Sequence, residues 1–450
     1  MKSVVVVGAG IGGLCAALEL SRRGYIVTVV DGQSQVGGLL RSERIANLDF
    51  DFGTHFIIET QVPAIDSELI SPFVESHDPW VFQRSLDEGH LINGVFNSQT
   101  GCPDARTLGS YGQTRKTQSE YLAAAGVPSG SGDARSWAVD CFGPTIADEL
   151  YGPALRKLVG ASLEDLDSSA IHSFHLSRVV LFDSETSIRM KSDPAHDARL
   201  AYAKTHDGHS TVRKYYPRQG GVGAWPAYLK SRAESRGVEF HLGRAVESLR
   251  IVDGAIAAVE LEEGEAIGCE MVVWTVQPEI LLRTAGKGLL GPPPVFRDVQ
   301  IYQFGVDGKY QTSLHWVTNY DSSFASYRTT LYDNFAPAEE STHRRLTVEV
   351  LADPSSRPIH EQRLTKELCE SQIIADPDRV SLVGSTILPR ALPVPRVGGF
   401  RAREATIREA RKLAKNLWLA GAGNGALGQV AVLKDAFEAV ASLSPPSLEA

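Results

Sequence analysis

Three glycines near the N-terminus have the types and spacing that bind the pyrophosphate of a dinucleotide. Gly8, Gly10 and Gly13 fit the pattern G-x-G-x-x-G, and Gly12 lies inside it. The first glycine permits a tight turn, the second lets a pyrophosphate approach the backbone, and the third lets a helix pack closely on a strand. Asp31 follows the glycines at the sequence separation at which this motif has a carboxylate that binds a ribose hydroxyl. The set predicts a dinucleotide with an unphosphorylated adenosine ribose.

The segments around these glycines must form a βαβ unit if the residues are to meet. The β-branched run 3–7 lacks alternation, which is typical of a parallel strand buried on both faces. Residues 14–23 have helical apolar spacing, Gly24 ends that helix, and residues 26–30 have the composition of a second strand. An ordinary glycine-rich turn would not need strand, glycines, helix, strand and acid in this order.

A second glycine pair bears on the choice between NAD and FAD, which the βαβ unit alone does not settle. Gly37 and Gly38 precede Leu39 and Arg41, and a turn there would bring backbone amides and a guanidinium towards the same diphosphate. The alternative is a plain turn with a surface arginine. No second G-x-G-x-x-G follows a later strand, and residues 305–308 are predicted to be a turn, so a separate NAD(P)H domain is disfavoured.

Four further segments complete a resemblance to the flavin amine oxidase superfamily, especially the branch of protoporphyrinogen oxidase-like enzymes and UDP-galactopyranose mutase. The similarity covers nearly the whole chain. It is carried, beside the glycine motifs, by the stretches 51–56 (DFGTHF), 150–160 (LYGPALRKLVG), 216–225 (YPRQGGVGAW) and 416–424 (NLWLAGAGN).

The resemblance implies FAD as cofactor and assigns residues to it. His55 would lie by the flavin ring, Val246 would contact the adenine through its backbone, and the last helix would point its N-terminus at the flavin. The remaining residues implied for the C-terminal part of the site are Gly421, Gly423, Gln429 and Val430. The sequence departs from the family pattern where Leu39 replaces an arginine after the glycine pair and where Ala422 replaces an acidic residue.

We predict an α/β fold in which a Rossmann-like FAD-binding domain, of the GR2 flavoprotein type, is interleaved with an α+β substrate domain. The FAD-binding domain would comprise residues 1–75, 215–295 and 390–445, and the substrate domain residues 76–214 and 296–389. Short β-rich runs at 238–242, 245–249 and 271–274, with a turn at 253–254, are predicted to be hairpin strands.

Arginines and a tyrosine in the predicted substrate domain are the candidates for catalysis. Arg328 lies in an alternating, strand-like run after Tyr327, where a guanidinium could hold a carboxylate or diphosphate through two hydrogen bonds. The resemblance places a second basic residue at Arg178. The alternative is that both arginines are solvated.

Three functions remain open from the sequence. The first is oxidation of a small or medium organic substrate by hydride transfer to FAD, as in amine oxidase or protoporphyrinogen oxidase-like enzymes. The second is a flavin-dependent nucleotide-sugar mutase, although Val159-Gly160 stands where the mutase has Trp-Gly. The third is a non-catalytic binding protein with the FAD fold. The ligand would be a small molecule, either anionic or a nucleotide sugar for the first two functions.

Two polar segments lie in the predicted substrate domain. Residues 109–132 would form a lid or an exposed connection, and residues 183–214 a long loop or insertion. The latter carries His196, His206 and His209, but their spacing is irregular, so a metal site is disfavoured.

Composition excludes several classes of protein. A formal net charge of −9 and a pI near 5.8 provide no basic face for nucleic acid. No apolar run approaches the roughly 20 residues of a membrane span, and no signal peptide is recognised, so we expect a cytoplasmic protein. Five scattered cysteines suggest neither zinc nor a redox pair. The oligomeric state stays open.

Overall fold

The computed structural model describes residues 2–84, 87–128, 132–202, 209–289, 291, 293–337 and 343–443. The fold is of the predicted α/β class, which confirms that prediction. The chain divides into two compact units. Unit 1 comprises Met1–Val81, Val212–Pro293 and Arg401–Ala450, and unit 2 comprises Phe82–Thr211 and Pro294–Phe400.

The strands of the described residues are β1 Ser3–Val7, β2 Ile26–Asp31, β3 Ser42–Ile45, β4 Leu48–Asp51, β5 Ile57–Ile58, β6 Trp80–Arg84, β7 Glu88–Ile92, β8 Val95–Asn97, β9 His209–Tyr216, β10 Glu239–Leu242, β11 Val246–Val252, β12 Ala255–Leu261, β13 Ala266–Gly268, β14 Met271–Trp274, β15 Phe296–Asp307, β16 Trp316–Asn319, β17 Arg328–Leu331, β18 His343–Ala352, β19 Val380–Pro393 and β20 Leu417–Leu419.

The α-helices are α1 Ile11–Arg22, α2 Pro63–Leu69, α3 Ser71–His77, α4 Tyr111–Ala123, α5 Ala134–Phe142, α6 Pro144–Ile146, α7 Gly152–Val159, α8 Ser169–Ser173, α9 Ser184–Met190, α10 Pro194–Asp197, α11 Ala224–Ser235, α12 Pro278–Thr284, α13 Glu361–Glu370, α14 Gly399–Ala410 and α15 Gln429–Ala441. A π-turn at Ala147–Tyr151 joins α6 to α7. Among the described helices, none combines the length and apolar character that a membrane crossing needs.

Unit 1 is built on a parallel sheet with strand order β10-β2-β1-β14-β20. β1 pairs with β2 and β14, and its valines Val4–Val7 are buried because neighbours cover both faces. Helix α1 connects β1 to β2 as the predicted βαβ unit requires. The loops at the carboxyl ends of these strands therefore meet at one edge of the sheet, where α/β proteins bind ligands.

The prediction of hairpin strands between residues 238 and 274 is only partly right. β11 and β12 do form an antiparallel hairpin, and Asp253 and Gly254 turn it with φ angles of 51° and 71°. However, β10 and β14 belong to the parallel sheet instead. Both strands are short and apolar, and such runs are compatible with a parallel neighbour as well as an antiparallel one.

Unit 2 contains a seven-stranded sheet with the order β19-β15-β18-β17-β16-β7-β8. The long β15 pairs antiparallel with both β18 and β19, and β16 pairs parallel with β7. The predicted turn at residues 305–308 is wrong, because Gly305–Asp307 continue β15 opposite Arg345–His343. A glycine inside a strand resembles a turn signal unless the pairing is known.

Both polar segments contain helices, so the prediction of a long loop at residues 183–214 is wrong, while a lid or exposed connection at residues 109–132 stays a prediction. Residues 109–132 include α4, and residues 183–214 include α9, α10 and part of β9. Asp183 and Asp193 cap α9 and α10 by accepting hydrogen bonds from Thr186 N and Ala195 N. Short capped helices have too few residues to give a clear apolar period. His206 lies outside the described residues.

Candidate functional site

The glycine turn after β1 is fixed by close backbone packing. Gly8 has a φ of +106°, and a Cβ atom on it would lie 2.4 Å from Thr275 Oγ1. A Cβ atom on Gly13 would lie 1.8 Å from the carbonyl oxygen of Gly8. Any side chain at Gly13 would therefore push the start of α1 off β1.

Gly10 is different, because a Cβ atom on it would meet nothing within 4 Å. Its φ of −69° is also open to any residue, so neither packing nor backbone conformation in this chain requires glycine there. Gly10 is the N-cap of α1, whose first backbone N–H groups have no partner within the helix. Open space and the positive end of a helix dipole together fit the pyrophosphate of a dinucleotide.

Asp31 ties the end of β2 to this turn. Its Oδ2 accepts a hydrogen bond of 2.6 Å from Ala9 N, and its Oδ1 accepts one of 2.7 Å from Gln33 N. The backbone N–H of Arg244, two residues before Val246, donates to the carbonyl of Asp31 at 3.1 Å. The start of β11 therefore lies beside the predicted ribose-binding carboxylate.

The second glycine pair packs directly against the first turn. The backbone N–H of Gly37 donates to the carbonyl of Ala9 at 2.8 Å. Arg41 is held in place, since its Nε donates to the Gly38 carbonyl at 2.8 Å and its guanidinium lies 4.9 Å from the Phe52 ring centre. Leu39 is half exposed, at 51%. The two glycine motifs thus form one nucleotide cradle, which we define as residues 8–13, Asp31 and 37–41.

A buried carboxylate that the sequence did not reveal holds the adjoining segments together. Asp51 is 1% exposed and accepts hydrogen bonds from Ser42 Oγ (2.6 Å), Tyr216 Oη (2.8 Å) and Val222 N (3.0 Å). It joins β3, next to Arg41, to the glycine-rich segment before α11. The apolar residues among 48–52 could have indicated this role, because they suggest a buried strand and an acid inside a buried strand needs hydrogen-bond partners.

The start of α15 lies beside the segment that follows His55. Gln429 Nε2 donates to the Ile58 carbonyl at 3.1 Å, and His55 itself is half-buried. Gly423 is glycine because a Cβ atom would lie 2.3 Å from the Trp274 carbonyl, and the backbone N–H of Gly421 donates to Asp435 at 2.6 Å. Val430 follows Gln429 in the first turn of α15. Unit 1 therefore brings the predicted residues of the N-terminal and C-terminal motifs to neighbouring loops.

In unit 2, Arg328 is paired with a carboxylate that the sequence analysis missed. Its Nε and Nη2 donate to the two oxygens of Glu349 at 2.7 and 2.8 Å. The arginine side chain is 22% exposed and the glutamate side chain 5%. The alternative of a solvated arginine is therefore wrong for Arg328. The signal was an acid in the otherwise apolar run of β18, which implies a buried partner.

The ion pair with Glu349 keeps Arg328 in its charged form. Burial lowers the pKa of Arg328, but the attraction of Glu349 outweighs it and raises the pKa above its usual value. Tyr327 reinforces the arrangement: its N–H donates to the Glu349 carbonyl at 2.7 Å, and its ring packs edge-on against Phe174 at 5.9 Å. Tyr327 and Arg328 are thus held in fixed positions, and the carboxylate of Glu349 balances the charge of Arg328.

Arg178 is engaged by α10, since its Nε donates to the Asp197 carbonyl at 3.0 Å. His196 is likewise engaged: its Nδ1 lies 2.8 Å from the Tyr121 hydroxyl, which joins α10 to α4. Within the described ranges no group of three or more His, Cys, Asp or Glu residues is placed to hold a metal ion.

Lys157 is a second cation that sequence reasoning did not single out. Its Nζ donates to the carbonyls of Asn319 (2.8 Å) and Ser326 (2.9 Å), at both ends of the segment that leads to Tyr327. Burial lowers the pKa of Lys157 to about 7, and the charges of Glu367 and Asp321 offset only part of that effect. No pattern in the sequence distinguishes it from a solvated helix lysine.

Two family models match the chain. Residues 6–66 match the NAD(P)-binding Rossmann-like domain, and residues 154–343 match the flavin-containing amine oxidoreductase family. These matches confirm the resemblance to the flavin amine oxidase superfamily that was read from the sequence. The flavin-containing family model implies a flavin cofactor, and the nucleotide cradle of unit 1 fits one.

Similar proteins span several activities within this superfamily. The chain is 26% identical to the hydroxyneurosporene desaturase of Rubrivivax gelatinosus over 315 residues, which are 65% of this chain and 55% of that protein. Among solved structures, a reduced UDP-galactopyranose mutase superimposes with a TM-score of 0.73 at 19% identity, covering 98% and 95% of the two chains. A protein of Exiguobacterium described as a protoporphyrinogen oxidase gives 0.71 at 14% identity, covering 98% of each. These structural likenesses establish the fold.

Proposed function

We propose that this protein is an FAD-dependent oxidoreductase that removes a hydride from a small or medium organic substrate. The observation that supports it most is the nucleotide cradle. Of the three motif glycines, Gly8 and Gly13 are closely packed, whereas Gly10 has open space around it at the N-terminus of α1, where a pyrophosphate would bind. The Rubrivivax relative is named a desaturase, and desaturation is an oxidation that removes hydrogen from the substrate.

FAD, rather than a mononucleotide, accounts for motifs at both ends of unit 1. The pyrophosphate would bind at the amides after Gly10, the adenosine ribose at Asp31, and the flavin near His55 and the start of α15. The residues that we propose to contact FAD are Gly8, Gly10, Gly12, Gly13, Asp31, Gly37, Gly38, Leu39, Arg41, His55, Val246, Gly421, Gly423, Gln429 and Val430.

Bound FAD would supply the two-electron acceptor for the substrate hydride. The chain's own contribution is binding and orientation. With its Nε and Nη2 held by Glu349, Arg328 has one remaining edge, Nη1, to direct at a substrate. We propose that Arg328 positions the substrate through this edge, with Tyr327 packed beside it, and that Arg178 keeps α10 in place.

The Arg328–Glu349 pair favours oxidation over nucleotide-sugar isomerisation. A diphosphate carries two negative charges, and because Glu349 balances the charge of Arg328, the pair offers no net positive charge to a diphosphate. A neutral or weakly polar substrate, such as an amine in its free-base form or an alkene, is the better electrostatic match.

The test is the visible spectrum of the purified protein under anaerobic conditions. Amines and cyclic alkenes are added to one series of samples, and UDP-galactopyranose is added to a second series with and without dithionite. We expect a yellow protein whose flavin absorbance is bleached by an amine or alkene without dithionite. Conversion of the UDP-sugar only after reduction would instead support a mutase, and a colourless protein that cannot take up FAD would support the non-catalytic alternative.

A further inference from the structure

A positively charged cleft in unit 2 lies at the start of β15 and the end of β19. It has a volume of about 270 Å³ and is lined by Arg297, Arg390 and Arg396, with Asp353 as its single carboxylate. Three guanidinium groups against one carboxylate leave a surplus of two positive charges in a chain whose net charge is −9. Arg328 and Glu349 are not among the lining residues.

Arg297 is buried within the wall of this cleft. It is 7% exposed, its Nη2 donates to the Leu351 carbonyl at 2.9 Å, and its Nη1 pairs with Asp353, whose side chain is 76% exposed. Its Nε is buried and has no acceptor within the described residues. Gly160 permits the approach, because a Cβ atom there would lie 2.8 Å from Nη1. A buried cation with an exposed counter-ion gains stability from any further negative charge beside it.

Arg390 is aimed by a β-bulge. The pairing of β15 with β19 shifts register between Arg297 and Val299, and Arg390 there takes a left-handed φ of 52°. Asp298 secures this conformation, since its carboxylate accepts a hydrogen bond of 2.7 Å from Arg390 N. The Arg390 guanidinium then lies 4.9 Å from the centre of the Phe296 ring. A left-handed backbone conformation at a residue with a side chain is strained and persists where its surroundings fix it, as the Asp298 hydrogen bond does here.

Arg396 is held by backbone pairing on the other side of the cleft. The carbonyl of Pro395 accepts from Asp167 N at 2.9 Å, and Val397 N donates to the Asp165 carbonyl at 3.0 Å. In the described part of the chain, neither the Arg390 nor the Arg396 guanidinium forms an ion pair with a carboxylate, although the Asp298 carboxylate binds the Arg390 backbone N–H. The carbonyl end of α7 at Val159 lies in the wall of the same cleft and offsets part of its positive charge.

We propose that this cleft, whose lining includes neither the nucleotide cradle nor the Arg328–Glu349 pair, is a second binding site for the phosphate group of an organic phosphate monoester. Guanidinium groups match phosphate oxygens with paired hydrogen bonds. The surplus of two charges suits a dianion better than a carboxylate. Val159, Val295 and Pro354 provide apolar surface in the same cleft for the organic part of the ligand.

The test measures binding to the FAD-saturated holoenzyme, so that the nucleotide cradle cannot take up the probe. Phenyl phosphate, inorganic phosphate and benzoate are titrated by calorimetry into the wild type and into Arg390→Gln and Arg396→Gln. Arg379→Gln is the matched control, because its side chain is 64% exposed in the same unit and outside the cleft. Thermal melting without ligand checks that each variant is folded.

We expect saturable binding of phenyl phosphate, weakened about tenfold by each cleft substitution and by added salt, and unchanged in Arg379→Gln. Inorganic phosphate should bind more weakly than phenyl phosphate, because it lacks the apolar part. Equal affinity in the control and cleft variants would overturn the site. Absence of saturation up to about 10 mM phenyl phosphate would do the same. Benzoate binding as tightly as phenyl phosphate would overturn the choice of a dianion.

Discussion

The nucleotide cradle of unit 1 and the arginine and lysine groups of unit 2 are built in opposite ways. The cradle is mainly backbone, and its shape depends on glycines in the βαβ unit and in the segment that follows β2. The unit 2 groups consist of side chains whose partners are distant in sequence: Arg328 and Glu349 differ by 21 in residue number, and Lys157 and Asn319 differ by 162.

This difference explains which region tolerates which kind of change. A backbone cradle fails when a side chain is added, whereas a side-chain pair fails when one partner is removed.

Adding a single methyl group at Gly13 should damage the cradle most. Gly13→Ala places Cβ 1.8 Å from the Gly8 carbonyl oxygen, so the turn must move. We expect the free energy of unfolding to fall by about 3 kcal/mol and the bound flavin to be lost. Denaturant unfolding and the flavin-to-protein absorbance ratio measure both. Gly399→Ala is the control, since its Cβ meets nothing within 4 Å; equal behaviour of the two variants would contradict the packing argument.

Removing Glu349 should strand a mostly buried charge in unit 2. For Glu349→Ala we expect a loss of about 2–3 kcal/mol in the free energy of unfolding, below the full cost of a buried pair because Arg328 is 22% exposed. The double variant Arg328→Met/Glu349→Met should recover part of it. Glu370→Ala, which breaks an exposed pair with Lys366, should cost less than about 1 kcal/mol. A double variant less stable than Glu349→Ala would show that the charge is not the cause.

Lys157 should make stability depend on pH. Its folded pKa of about 7 lies below the unfolded value of 10.5, so the unfolded chain binds more protons between these values. Stability therefore rises with pH from about 7 upward, by at most about 1.4 kcal/mol per pH unit. Lys157→Met should remove this rise. Urea unfolding at pH 7 and pH 9 measures it, with Lys366→Met, an exposed helix lysine, as control. An identical slope in wild type and Lys157→Met would contradict the shifted pKa.

Arg41 should have the smallest effect, because its guanidinium only supplements a cradle made of backbone. For Arg41→Gln we expect flavin to bind about three- to tenfold more weakly, with the stability of the flavin-free protein changed by less than about 0.5 kcal/mol. Titration of FAD into the flavin-free protein checks this. A loss as large as that of Gly13→Ala would mean that Arg41, and not the amides, holds the diphosphate.

The same distinction sets how far the sequence alone could predict this molecule. The strand 3–7, the first helix and the last helix were predictable because each depends on local apolar spacing and on glycines nearby. The helices α9 and α10 were not, because they are short and polar and begin at caps. Helix α4 is longer, but it is polar and buries only Thr117 and Tyr121, and the distant contact between Tyr121 and His196 joins it to α10.

The candidate site shows the same division. Gly8, Gly10, Gly13 and Asp31 were found from spacing, and their loops do meet. The partner of Arg328 could not be named in advance, since pairing of β17 with β18 brings Glu349 opposite it and no local pattern encodes that register.

We propose that the space around Gly10 is left open for FAD. A titration of FAD into flavin-free Gly10→Val and Gly399→Val tests this proposal most directly. Both added side chains start in open space, so both proteins should unfold within about 1 kcal/mol of the wild type. We expect Gly399→Val to bind FAD like the wild type and Gly10→Val to lose at least about 100-fold in affinity for FAD. Equal affinities would contradict it.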